Sequence, residues 1–585
     1  MLDRPAKATG VVSDVVSAPS DVSRVRADAL NAWLRGYAET RIDTRLIDER
    51  RCVPPHHVLD FGNRGFFGLQ IPEKFGGLAL TNRDYLRVIE QAAAIDISIS
   101  MMFFTHNSNG VRPILHYAKP ELRDELLPIL AAGREIAAFA LTEPAAGSNL
   151  PNLETRADPD GEGAWRITGV KRWNSSGWAG VVSVFARTVD ETGRLGHPTG
   201  FVLRQGDAGM RYGPESITMG VRGIIQNALI FDGARVAEDR LLGEVGQGME
   251  VAEEALLNAR LAIGAVAVGA MKRCAQLMVR YADRRKVSSG LLIDSPLARD
   301  MLTAVSVRVT AMEELIDRLA RVLDAGGNPS EEAAQAAKII GTDALWDASD
   351  LLVETLGGRG YMEPNGAPRF MRDCRMLRII EGANELMCIT VGRRIGRSEH
   401  FHALMRETLG AADLDDRLRE DIEPVTARCM ADMGVFGSRS QAMGWAHLQI
   451  GRIAVWSLMV AVLDAAERER PTAALARARH WAVERLEDCR RRARCGGGVE
   501  QRMIEPQAMR DLVAGYGTDI GDVEEAPPGT EDVLDPLLRR TPTKVGFAPW
   551  RHLPGGADGS DIPAPDARRL MAAEMLKNRL SRKSP

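Results

Sequence analysis

Apolar residues along this chain change their period twice. From residue 24 to 60 they recur at the three-to-four spacing of an amphipathic helix. The run Ile71-Pro72-Glu73-Lys74-Phe75-Gly76-Gly77 breaks the pattern as a turn. Helical spacing returns at 82–94 and around 121–132, so the opening 138 residues read as mostly helical. After Phe139, short β-branched and aromatic runs take over, at 165–167, 181–189, 201–203 and 228–231. Turn clusters such as Asp158-Pro159-Asp160-Gly161 separate them. This stretch, to about Leu242, predicts a compact β domain.

The second change falls at Gly248. Met249, Ala252, Leu256, Ile263, Val266, Ala270, Cys274, Leu277 and Tyr281 mark one face of a long helix. Gly264 and Gly269 weaken that helix unless another packs closely against it. Segments 296–325, 330–356 and 385–395 complete a four-helix antiparallel bundle. A polar, acidic stretch follows to Asp432, then two striped helices near 441–467 and 472–494. A Pro/Gly-rich wrapping loop at 526–565 and a short helix at 566–581 end the pattern. The expected division is a loose tail (1–22), an N-terminal helical domain (23–138), a middle β domain (139–245), a bundle (246–397), a linker (398–435) and an extra C-terminal helical domain (436–585).

Composition removes several classes. With 75 basic against 79 acidic residues and a net charge of −4, the chain has no basic excess for nucleic acid. Seven scattered cysteines without a CxxC pair fit reduced thiols in a cytoplasmic setting. The first twenty residues hold no signal-peptide core, and the apolar runs 261–271 and 453–462 are too short to span a bilayer. The basic residues of 472–494 allow contact with a membrane surface, but Glu484, Glu487 and Asp488 on the same segment favour a solvated face or a dimer cover.

No GxGxxG after a strand, GxxxxGK[ST], HExxH or GxSxG is present, and the ten histidines show no zinc spacing. Hard chemistry would therefore fall to a bound organic cofactor, with no metal expected. Three segments stand out. Phe139-Ala140-Leu141-Thr142-Glu143-Pro144-Ala145-Ala146-Gly147-Ser148-Asn149 enters as a strand and leaves as a small-residue loop; it reads as a capped surface loop or as a cradle for a polar ligand edge. Ile167-Thr168-Gly169-Val170-Lys171-Arg172-Trp173-Asn174-Ser175-Ser176-Gly177 is a hairpin whose Trp is either core or a platform for a flat ring. In Ile380-Glu381-Gly382-Ala383-Asn384-Glu385, the first glutamate either serves the following helix N-terminus or projects as a base into an apolar cleft.

Taken in order, these segments resemble the acyl-CoA dehydrogenase family over about residues 65–397. Residues 71–77 are similar to its IPExxGG turn, 139–149 to AxxxTEPxAGSD and 167–177 to ITGxKxWITNG. Residues 219–222 are similar to MGxR, 232–243 to the following strand end, 281–286 to YAxxRK and 355–384 to GGxGY…RDxR…EGTNE. The resemblance implies a mainly α fold with a central β-barrel, and FAD between barrel and bundle. It implies cofactor contacts at Phe139, Leu141, Thr142, Gly147, Ser148, Trp173, Ser175, Ala383 and Glu385. Arg285, Glu354, Gly357 and Gly358 match positions that reach the FAD of a neighbouring subunit, so at least a dimer is implied. Substrate contacts are implied at Ser148, Arg260 and Gly382.

Glu381 matches the base that takes the α-proton of an acyl thioester as hydride passes to flavin N5, giving a trans-2-enoyl product. Relatives that carry the base on the bundle helix would place it at Ala259, which cannot accept a proton. The resemblance further implies an acyl-CoA substrate, fatty-acid oxidation, and reoxidation by an electron-transfer flavoprotein. Departures fall at Ala383, Ser288, Pro296, Glu354 and Ile224-Ile225-Gln226. Three alternatives stay open: an oxidase using O2, a dehydrogenase of carrier-protein-bound acyl groups, and a non-catalytic assembly protein on the same fold. The region beyond Gly396 is similar to the second helical domain of very-long-chain relatives.

Overall fold

The computed structural model describes residues 17–494, except 176, 177, 179 and 191, and residues 503–521. Contacts divide the chain into two compact units, Met1–Met503 and Ile504–Pro585. The described part of the second is the helix Pro506–Ile520. The expected wrapping loop and final helix lie outside the described residues, as does most of the expected tail.

In the first unit the helical opening is broken more often than the periodicity suggests. Residues 24–60 form three helices, Ser20–Arg41, Thr44–Arg50 and Pro55–Asn63. The second starts where the Asp43 carboxylate accepts from Arg45 N and Leu46 N, and stops at Arg51 in the left-handed region. Helix Asn82–Ile95 runs into Ile97–Phe104, capped by Asp96. A wider π-helical turn, Thr105–Val111, follows, and every residue of it is buried.

The middle region holds eight strands: β1 (Ala137–Ala140), β2 (Arg156–Pro159), β3 (Trp165–Ser175), β4 (Val181–Val189), β5 (Leu195–Arg204), β6 (Met210–Glu215), β7 (Gln226–Val236) and β8 (Leu241–Leu242). They pair in the order β6-β7-β3-β2-β4-β5-β8, and β1 joins β4 in parallel. The expected barrel is corrected to an open sheet: among the described residues nothing joins β6 to β8. β1 and β2 lie end to end along one edge of β4, and the two-residue β8 is too short to carry the sheet round.

The bundle is built from Gly248–Ala282, Pro296–Asp324, Glu331–Leu356 and Asn384–Arg394. The two glycines of its long helix are explained by close approach. A Cβ on Gly269 would stand 2.0 Å from the Glu90 carbonyl oxygen, and one on Gly264 2.5 Å from Ile316 Cδ1. Gly248–Ala282 and Arg439–Glu469 are long and apolar enough to cross a membrane, but 89% and 83% of their most apolar windows are buried inside the protein.

Two expected boundaries are also corrected. The stretch 398–435 is not a linker: Ala412–Ala431 is a helix, burying Leu418, Val425 and Cys429 on one stripe. Nor do the helices Arg439–Glu469 and Ala473–Arg494 stand apart as a domain. Gly392 and Gly451 let Arg439–Glu469 cross Asn384–Arg394 in backbone contact; Cβ atoms there would meet His447 O at 1.9 Å and Cys388 O at 1.8 Å. The extra helix therefore grips the same helix that leaves the Glu381 loop.

Candidate active site

Helix Ala367–Leu377 unwinds through Ile379 and Ile380, whose N–H groups donate to Met376 O at 2.8 and 3.1 Å. The chain then reverses at Glu381 and Gly382, both left-handed, with φ of +55° and +103°. A left-handed Glu is strained, and such strain persists where the surroundings over-determine it. The next helix begins at Asn384 with Ala383 at its N-cap position, so Glu381 caps nothing. That decides between the two readings of this glutamate: it projects from the loop.

The Glu381 carboxylate is half-buried and accepts one side-chain hydrogen bond, from Asn109 Nδ2 at 2.8 Å. Burial pushes its pKa above the ordinary carboxylate value, and Asn109, then Arg260, then Lys338 oppose that shift. Both cations are spent on other atoms. Arg260 Nε donates to the Glu381 carbonyl at 3.4 Å, and its guanidinium pairs with Glu331 at 3.2 Å. Lys338, fully buried, donates to Gly382 O and Asn384 Oδ1, both at 2.7 Å. Burial pulls the Lys338 ammonium down to about 7, Glu381 opposing. Asn384 Nδ2 completes the support, donating to Thr342 Oγ1 at 2.9 Å and Asp343 Oδ1 at 2.8 Å. Among the described residues, no backbone carbonyl receives the Glu381 N–H.

A second cluster forms on the sheet. Lys171 and Glu143 make a buried ion pair of 2.7 Å. Lys171 Nζ also donates to Leu141 O at 3.0 Å, and the Glu143 carboxylate accepts from Glu154 N at 2.6 Å and Thr155 N at 3.0 Å. The pair welds the Thr142–Ser148 loop to β3, and Arg172 N donates to Thr142 O at 2.9 Å. Just beyond, the β3–β7 ladder slips between Lys171 and Asn174. Trp173 sits in that bulge with φ of +57° and 48% of its surface exposed, the Arg172 guanidinium over its ring at 4.8 Å. Of the two readings of this Trp, the core one is excluded. Ser175 lies two residues on, half-buried, opposite Gln226. Gln226 Nε2 reaches Met376 Sδ at 3.5 Å, five residues before Glu381. The Trp173 hairpin and the Glu381 loop thus flank one junction between sheet and bundle.

The remaining expected residues separate into two groups. Phe139 and Leu141 pack into the sheet region, Phe139 against Phe185 at 4.9 Å, while Gly147 and Ser148 are exposed. Arg260 and Gly382 join Glu381, with Ala383 beside them and Glu385 exposed at the helix start. Arg285, Glu354, Gly357 and Gly358 are all exposed and are not brought to Glu381 within this chain. Sequence reasoning missed Asn109 and Lys338 as site residues and did not pair Glu143 with Lys171. The available signals were the polar run Thr105-His106-Asn107-Ser108-Asn109 after an apolar helix, and one lysine inside the Ala/Ile-rich 333–340 segment.

A helical opening, a central sheet and a bundle that presents a half-buried carboxylate beside a strained, exposed indole define a recognisable class. Three family models match it in succession: the acyl-CoA dehydrogenase N-terminal domain over residues 26–134, the middle domain over 138–234 and the C-terminal domain over 246–396. The chain belongs to the acyl-CoA dehydrogenase family. It is 32% identical over 333 residues to the mitochondrial very long-chain specific acyl-CoA dehydrogenase of Homo sapiens, covering 56% of this chain and 51% of that protein. It is 28% identical over 373 residues to the probable acyl-CoA dehydrogenase FadE25 of Mycobacterium tuberculosis, covering 63% of this chain and 95% of the relative. The chain spans about half the length of the very-long-chain relatives it matches. An acyl-CoA dehydrogenase complexed with FAD from Bacillus anthracis shares the fold, with a TM-score of 0.68 at 21% identity, over 90% of this chain and 94% of that one.

Proposed function

We propose that this chain is an FAD-dependent dehydrogenase of acyl thioesters, desaturating the α,β-bond with Glu381 as the base. One observation carries the reading: a left-handed loop holds the Glu381 carboxylate with burial raising its pKa and with its neighbouring cations bonded to carbonyls and other partners instead of to it. A base must be unpaired to be useful and must have a pKa lifted toward working pH.

The residues present fit a flavin. The Trp173 indole offers an exposed apolar face, and Ser175, Thr142 and Ser148 offer hydroxyls for a polar ring edge. A Cβ on Gly357 or Gly358 would meet nothing within 4 Å, and Arg285 is exposed, which suits the phosphate-bearing part of an FAD held by a second copy. When bound, FAD would supply the two-electron acceptor for the hydride equivalent leaving the β-carbon.

The chain's own residues do the rest. Glu381 takes the α-proton. Its backbone N–H, which no carbonyl receives among the described residues, is a donor for the thioester carbonyl oxygen as charge gathers there. Arg260 and Lys338 hold the two carbonyls of the loop, so the carboxylate and that N–H keep a fixed relation. The same proposal includes an acyl-CoA substrate, an electron-transferring flavoprotein as acceptor, a homo-oligomer and a cytoplasmic location.

The test is the visible spectrum of the purified protein with FAD, followed by anaerobic addition of acyl-CoA thioesters of graded length. A yellow protein that bleaches with at least one thioester is expected. Protein that retains no FAD, or a bound flavin that dithionite reduces and no thioester does, would overturn the reading.

A further inference from the structure

The turn Thr105–Val111 carries five buried polar side chains, and four of them are satisfied. Thr105 Oγ1 donates to Met101 O at 2.8 Å. His106 joins Phe67 O at 2.9 Å and Ala137 N at 3.0 Å. Asn107 uses both ends of its amide, on Phe66 O, Phe103 O and Leu69 N. Ser108 Oγ donates to Asn258 Oδ1 at 2.8 Å. Asn109 is the exception. Its nitrogen donates to Glu381 Oε1, but its oxygen, fully buried, has no partner among the described residues.

The orientation of that amide is fixed by chemistry. An ionised carboxylate only accepts, so the nitrogen must face Glu381 and the carbonyl oxygen must face elsewhere. A buried amide oxygen left unpaired costs about 1–3 kcal/mol, so a buried group this close to the reacting carboxylate calls for a donor that arrives with the ligand. An apolar acyl chain has none to give. Three residues on, Arg112 Nε donates to Glu254 Oε1 at 3.0 Å, and Glu254 Oε2 is again buried with no partner among the described residues.

We propose that Asn109 is a specificity residue, and that the preferred substrate is an acyl thioester bearing a hydroxyl or amine close to the bond being desaturated. This rests on the dehydrogenase reading of the Glu381 site and adds the acyl class to it. The substrate O–H or N–H donates to Asn109 Oδ1 while Asn109 Nδ2 keeps the catalytic carboxylate aimed. The residue both positions the base and reads the substituent.

The test uses FAD-loaded protein and two enoyl products, which bind without turnover: trans-2-pentenoyl-CoA and trans-4-hydroxy-2-pentenoyl-CoA. Calorimetric Kd values are measured for each. The wild-type protein is expected to bind the hydroxylated thioester about tenfold more tightly, the worth of one well-made neutral hydrogen bond. Asn109→Leu is expected to erase that ratio. Equal Kd values in the wild type, tighter binding of the plain chain, or no binding of either overturn the proposal. If Asn109→Leu does not fold, the wild-type ratio still decides. A tenfold ratio in a protein that no acyl thioester bleaches would leave the ligand class standing and remove the dehydrogenase reading.

Discussion

Glu143 and Glu381 are both acidic residues near a buried lysine, and their surroundings give them opposite tasks. Glu143 receives the lysine itself, with Lys171 Nζ at 2.7 Å, and two backbone N–H groups besides. These three donors point at its oxygens, so it serves as a structural tie. At Glu381 the lysine is turned aside: Lys338 bonds Gly382 O and Asn384 Oδ1, and among the described residues a single neutral amide bonds the carboxylate. One site surrounds the carboxylate with donors; the other holds its backbone firmly and leaves the carboxylate burdened by burial. The difference separates a carboxylate that stabilises from one that can react.

The largest effect that sharpens the contrast is on reaction. Glu381→Gln keeps the shape and the strained backbone and removes the base. Thioester-dependent flavin bleaching, followed by anaerobic rapid mixing, is expected to slow by about 10²–10⁴-fold. Glu143→Gln, assayed per bound flavin, should change that rate far less. Reversal of the two results would mean the roles are misassigned.

Next comes stability. Lys171→Met strands a buried carboxylate and is expected to cost about 3–5 kcal/mol in chemical denaturation, with part of the loss recovered in the double variant Lys171→Met/Glu143→Gln. Lys338→Met removes the donor to two acceptors and should cost about 2–3 kcal/mol. The contrast fails if Lys338 proves the more costly of the two.

How much of this was legible in the sequence follows from distance along the chain. The Glu381 loop, the Trp173 hairpin and the Thr142–Ser148 loop are contiguous, and each could be read as a motif. Their physical meaning was not contiguous. Glu143 finds Lys171 from 28 residues away and Glu381 finds Asn109 from 272, because the sheet and the bundle bring them together. The barrel expectation failed on strand pairing, which depends on where β1, β2 and β8 run out and on no local pattern. The Arg439–Glu469 stripe was readable as helix, but not its docking site, which is set by Gly392 facing His447 and by Gly451 facing Cys388.

A smaller effect concerns pH. Removing a proton from carbon requires the carboxylate form, so the reductive rate should rise with pH through the pKa of Glu381, above the ordinary carboxylate range. Lys338, while charged, favours ionisation of Glu381. Lys338→Met should therefore move the acidic limb of the rate profile to higher pH, in addition to any loss of rate. An unmoved limb would make Lys338 a scaffold only.

The smallest effect, on thermal midpoint, closes the comparison from the side of folding. Because the folded pKa of Glu381 lies above its unfolded value, the folded state holds that proton more tightly than the unfolded chain does. Its contribution is therefore most favourable at acid pH and is lost as pH rises from the unfolded value through the folded one. Above that window the native protein carries an ionised, half-buried Glu381 at a cost that glutamine, always neutral, does not bear. Glu381→Gln should raise the thermal midpoint at pH 8 and lose that advantage near pH 4, measured by calorimetry on the same two proteins. Glu143→Gln should lower the midpoint at pH 8, because it takes the buried Lys171 away from its carboxylate partner. If both variants moved the same way at pH 8, Glu381 would be a second structural tie, and the distinction between the two carboxylates would collapse.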